Sequence, residues 1–106
     1  FDLARAEGAT AVVLAFQADP YVLYGIGGGF RRTLDAIQAG AVAYRGPVLI
    51  IHGDGHVLTV DTPFQDGFGN TLEKIWRVEV PGGLDIRAVR IRIDPDASRV
   101  FDVAVF

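Results

Sequence analysis

The sequence of 106 residues has no cysteine. That excludes disulfides, zinc thiolate sites, iron–sulfur clusters and thiol nucleophiles. It leaves the redox compartment open, because a chain without cysteine folds equally well inside or outside the cell. There is no basic excess either: ten Lys and Arg stand against thirteen Asp and Glu, a formal net charge of -3. Neither a nucleic-acid backbone nor an anionic membrane is therefore the expected partner. No apolar run approaches the ~20 residues that a membrane helix needs, so a soluble chain is expected. Ser98 is the only serine and sits in a turn, which removes any Ser-His-Asp arrangement.

What the sequence does have is apolar substance. Half of the residues are hydrophobic and 22% are charged, the opposite of the balance that keeps chains disordered. At this length 1–106 is a single domain or a piece of one, able to bury about two thirds of its unfolded surface. Residues 1–8 read as the last turns of a helix closed by Gly8, a pattern entered midway. The expectation is a fragment from the C-terminal part of a larger protein, with localisation unreadable from this start.

The order of elements follows from periodicity. Residues 9–16 form an unbroken apolar run, the mark of a central strand buried on both faces. The Gly25-Ile26-Gly27-Gly28-Gly29 segment reads as a mobile loop, with a phosphate cradle at the following helix as the alternative; it fails the dinucleotide fingerprint, because Phe30 stands at the third glycine position. Phe30, Leu34, Ile37 and Ala41 recur at helical spacing over 30–43. Val48-Leu49-Ile50-Ile51 is a second buried strand. Strands are expected at 57–61, 72–80, 86–94 and 99–106, with a phase slip between Ala88 and Val89 that reads as a bulge. The fold class is thus α/β, a βαβ unit followed by an antiparallel meander. Trp76 is assigned to the core, and Arg77, Arg87, Arg90 and Arg92 to a solvated sheet face.

The most informative segment is His52-Gly53-Asp54-Gly55-His56. It follows directly on a buried strand, and in α/β sheets ligands collect beyond the carboxyl ends of strands. It holds both histidines of the chain with a carboxylate between them. The flanking glycines permit a sharp turn, so that Asp54 and His56 can aim at one point. Imidazole with carboxylate suits zinc, manganese, iron or magnesium. A tight turn with water-facing polar residues satisfies the same pattern.

The segment Val48-Leu49-Ile50-Ile51-His52-Gly53-Asp54-Gly55-His56 resembles the last metal-ligand motif of the calcineurin-like metallophosphoesterases, Gly-His-x-His after a buried strand. The run from Ala18-Asp19-Pro20 through this segment and Val60-Asp61-Thr62-Pro63 to Val100-Phe101 is similar to a bacterial metallophosphoesterase-like branch that carries Gly-Asp-x-His. The resemblance implies the C-terminal half of an αββα sandwich. It also implies a phosphoester hydrolase whose metals (Mn, Fe, Zn or Mg) lower the pKa of a bridging water. Asp54, His56 and Gln17 fall on late ligand positions. Apart from the resemblance, His52 is the catalytic candidate, orienting a ligand or approaching substrate, with a plain strand-end histidine as the alternative. The substrate implied is a phosphorylated small molecule or other phosphoester.

Departures from that pattern bound the expectation. The family's Asp-x-His, bridging aspartate and Asn-His motifs are not in this chain, and Gln17 and Asp54 stand where histidines would. The chain by itself is expected to bind metal weakly, with no dinuclear site and no turnover of generic phosphoesters. The alternative is a non-catalytic binding or structural relative. Exposed sheet edges also open a route to homo-oligomers.

Overall fold

A computed structural model describes residues 1–21 and 30–106. The glycine-rich loop 25–29 lies outside the described residues. The elements are α1 (Asp2–Ala6), β1 (Val12–Ala15), α2 (Arg31–Tyr44), β2 (Val48–His52), β3 (Thr59–Asp61), β4 (Ile75–Glu79), β5 (Val89–Ile93) and β6 (Phe101–Val105). As the sequence suggests, α1 closes on Glu7 and then Gly8, whose φ of +66° suits a residue without Cβ. Helix α2 ends on Arg45 in the left-handed conformation, whose N–H donates to the Ala41 carbonyl at 3.1 Å.

The expected parallel pair is present: Val12 to Ala15 register against Val48 to Ile51. The rest of the topology differs from the expectation. Strand β4 inserts between β2 and β3 and runs parallel to β2, giving a mixed sheet of order β1-β2-β4-β3, while β5 and β6 form a separate antiparallel hairpin. The second half is therefore not one meander. Strand β4 carries apolar residues on both faces, Ile75 on one and Trp76 and Val78 on the other, and such a strand belongs inside a sheet.

The first strand shows the converse. Strand β1 lies at the edge of the sheet, and half-buried Val12 and Leu14 alternate with exposed Val13 and Ala15, so it is not buried on both faces. Among the described residues nothing covers its outer face at Val13, which is 41% exposed. The phase slip after Ala88 is no bulge, since Ala88 exchanges both backbone hydrogen bonds with Phe106 and continues the register of Val89 with Val105.

Period-2 alternation divides the sheet into two faces. On one, Val48, Ile50 and Ile75 meet Ile37, Ala41 and Tyr44 of α2, with Phe64 beside them. On the other, Leu49 and Val78 pack against Phe101 of β6, with Val89, Ile91 and Val103 around it. The layers are helix, sheet and hairpin. Trp76 lies half-buried in the second cluster, as assigned. Arg90 and Arg92 do lie outward on the hairpin, whereas Arg77 departs from that strip: it sits half-buried on the helix face of β4, paired with Asp61. No helix among the described residues is long and apolar enough to cross a membrane.

Candidate metal centre

Three strands point their carboxyl ends the same way, because β1, β2 and β4 are mutually parallel. The core beneath is apolar, and the buried polar residues among those described, Asp19, His52 and Glu79, all lie at this one edge. His52 closes β2 in phase with Val48 and Ile50, so its ring stays on the helix face. Glu79 closes β4 in phase with Ile75, and it is the register partner of His52. Asp19 comes from the segment after β1. Each of the three offers a ligand atom within 4.8 Å of the others.

Hydrogen bonds fix how these side chains present themselves. The Tyr21 backbone N–H donates to Asp19 Oδ1 at 2.8 Å. His52 Nδ1 lies 3.1 Å from the Gly53 carbonyl and 3.9 Å from Asp19 Oδ1. Both neighbours are acceptors, which suits the Nδ1–H tautomer, and in that tautomer Nε2 carries the lone pair. Phe16 stacks at 6.2 Å and Tyr21 tilts at 5.6 Å from the imidazole, holding the ring in place. The remaining atoms, Asp19 Oδ2, His52 Nε2 and Glu79 Oε1, are buried without a hydrogen-bond partner. An unpartnered buried polar atom costs about 1–3 kcal/mol, and here two carboxylate oxygens and a ring nitrogen share that condition, with the Tyr21 hydroxyl a fourth such atom.

The turn above this group explains one glycine. A Cβ on Gly55 would collide with Glu79 Oε1 and lie 2.8 Å from Asp19 Oδ2. Gly53 is under no such constraint, since its Cβ would meet the Gln17 carbonyl and Val80 at 3.6 Å, an ordinary contact. The sharp bend expected of the glycines is instead made by their neighbours. Asp54 (φ 77°) and His56 (φ 62°) adopt the left-handed region, at a cost of order 1–3 kcal/mol each.

The structure separates the residues singled out in the sequence. His52 is buried in the group. Asp54 and His56 are exposed on the turn, with the His56 ring lying against Gly82 and Gly83. Gln17 is exposed too, and its contribution is the backbone carbonyl that accepts from Gly53 N–H at 3.1 Å. Asp19 and Glu79 escaped sequence reading as ligands. For His52 the signal was a polar residue closing an apolar strand in phase with its core face; Glu79 gave a weaker one, since Arg77 stands between it and Ile75 on the same face.

A second polar pair borders the group. Arg77 Nε donates to Asp61 Oδ1 at 2.8 Å, and its guanidinium carbon lies 4.3 Å from the centre of the Tyr21 ring. Burial works against the charge on Arg77, but the ion pair with Asp61 outweighs it and raises the pKa. Burial pushes the Tyr21 hydroxyl up to about 12, opposed by Arg77 and assisted by Asp61 and Asp19. No family model, curated protein or solved structure matches the chain.

Proposed function

We propose that this chain belongs to a metal-dependent phosphoester hydrolase, in which the phosphate meets the carboxyl edge of β1, β2 and β4 at the His52–His56 turn. In this reading the helix, sheet and hairpin layers are the C-terminal half of an αββα sandwich. The observation that carries it is the gathering of buried polar side chains at that edge and nowhere else in the described core, beneath a turn bearing exposed Asp54 and His56. Such edges are where α/β sheets bind ligands. The donor chemistry suits a divalent cation, since unpartnered carboxylate oxygens and an imidazole lone pair face one another. Bound there, a cation supplies the positive charge that offsets charge developing on phosphoryl oxygens.

The chain's own residues divide the remaining work. His56 is solvent-facing, and its imidazole exchanges a proton at the rim with substrate or leaving group. Buried His52 is held by Gly53 and Asp19 and acts by position rather than by reaching substrate. The test is turnover of nitrophenyl phosphate mono- and diesters by the intact protein with manganese. His56→Ala should lower turnover by about 100-fold or more, the scale of a lost general acid–base, with the thermal midpoint unchanged because an exposed ring carries little packing. A wild-type protein that binds phosphate and manganese but turns over no ester would assign the chain to the non-catalytic alternative.

A further inference from the structure

We infer that Asp19, His52 and Glu79 form a mononuclear site for one divalent cation, built beneath the turn and distinct from the exposed Asp54 and His56. Phosphoester chemistry rests on the proposed function above; the cation site stands on geometry alone. The three side chains are 4%, 1% and 4% exposed, and each presents one unpartnered atom. Packing alone gives no reason to bury two carboxylates and an imidazole beside each other. Hydrogen bonding gives none either, because the bonds these groups do make go to Tyr21 N–H and the Gly53 carbonyl, and leave Asp19 Oδ2, His52 Nε2 and Glu79 Oε1 over.

A single proton, on a carboxyl or on His52 Nε2, would make one two-centre hydrogen bond and so satisfy two of the three atoms. A cation satisfies all three. The Nδ1–H contact to a backbone carbonyl is the arrangement that orients a metal-ligating histidine through Nε2. Gly55 supplies the room, since a Cβ there would occupy the space between the two carboxylates. One nitrogen and two oxygen donors select manganese, iron or zinc over softer metals. Three protein ligands leave coordination positions for water or a phosphate oxygen.

The measurement is titration of Mn²⁺, followed by calorimetry and by loss of the free-ion paramagnetic resonance signal. We expect one equivalent bound, and Glu79→Gln and Asp19→Asn each weakening it by at least about tenfold, since even outer-shell partners are worth that much. Asp54→Ala and His56→Ala should leave the affinity within about threefold, a change under 1 kcal/mol. Stability of the metal-free protein gives an independent sign. Glu79→Gln should raise its thermal midpoint, because it removes a charge from a buried group of acceptors, and should shrink the rise that Mn²⁺ gives the wild type at the same concentration. A Glu79 with a purely structural role would do neither.

Binding lost in Asp54→Ala or His56→Ala but intact in Glu79→Gln would overturn the assignment, as would no binding at millimolar Mn²⁺. Stoichiometric binding without ester turnover would defeat the phosphoesterase reading alone. Turnover indifferent to Glu79→Gln and Asp19→Asn, in a protein whose manganese binding is equally indifferent, would defeat the cation site alone.

Discussion

Gly55→Ala tests the closeness of the turn to the buried group without touching any polar atom. Its φ is not among the positive values of the chain, so the added methyl meets no backbone penalty and the effect is steric. That methyl would collide with Glu79 Oε1 and press on the Glu79 carboxyl carbon at 3.0 Å and Asp19 Oδ2 at 2.8 Å. Both carboxylates are buried and cannot swing into water. Overpacking of this kind costs about 1–3 kcal/mol, while restriction of the unfolded chain returns about 0.4–1 kcal/mol. The net expectation is a loss of about 1–2 kcal/mol, or roughly 5–15 °C in the thermal midpoint of a domain this size. Gly53→Ala is the matched control, since its methyl meets only ordinary contacts at 3.6 Å; it should be neutral or stabilise by about 0.4–1 kcal/mol. Urea unfolding followed by the fluorescence of Trp76, the single tryptophan, reads both. If the two variants moved stability in the same direction and by the same amount, the turn would not lie on the carboxylates as described, and the cation site would lose its roof.

Phe101→Ala removes the 1%-exposed ring that joins the hairpin to the sheet; it should cost about 3–5 kcal/mol in urea unfolding, and a loss under 1 kcal/mol would mean the hairpin is not part of the cooperative fold. Tyr21 should ionise near pH 12 in an absorbance titration of the folded chain. Because its folded pKa lies above the unfolded value of 10.0, its contribution is complete below pH 10 and is lost as pH rises toward 12. Tyr21→Phe should flatten that decline, and an unchanged slope would refute the burial argument.

Local chemistry made much of the fold legible. Gly8, the run Val48 to Ile51, the helix spacing of Leu34, Ile37 and Ala41, and the break at Gly46-Pro47 each state their structure within a few residues. The parallel pairing of β1 with β2 follows from the helix between them. The placement of β4 was not legible in that way. Whether a strand pairs with its sequence neighbour or inserts beyond it depends on which faces other elements cover, and that is decided by Phe101 and Ile37, far away in the chain. Val13 misled for the same reason, since an apolar run looks alike at an edge and in the centre. The site divided likewise. His52 was visible because it ends an apolar run, whereas Asp19 and Glu79 lie 33 residues before and 27 after it, and only strand register brings them to it.

Departures from local rules are not spread evenly over this chain. Arg45 also has a positive φ, but there it caps α2 and accepts the usual left-handed ending of a helix. Asp54 and His56 have no such cause, and their strain falls on the same short turn whose Gly55 must lack a side chain. The buried unpartnered side-chain atoms of the described residues are those of Asp19, His52 and Glu79, together with the hydroxyl of Tyr21, whose own backbone N–H holds Asp19. Among the described residues, positive φ without a capping role, steric exclusion of a Cβ by buried carboxylates and unmet buried polar groups thus meet at one strand edge. Each is costly in the absence of a ligand, and selection for stability alone would remove them one by one with single substitutions such as Glu79→Gln. Their coincidence at one edge is the pattern expected where function competes with stability, and the carboxylate and imidazole donors collected there are what the proposed cation site rests on.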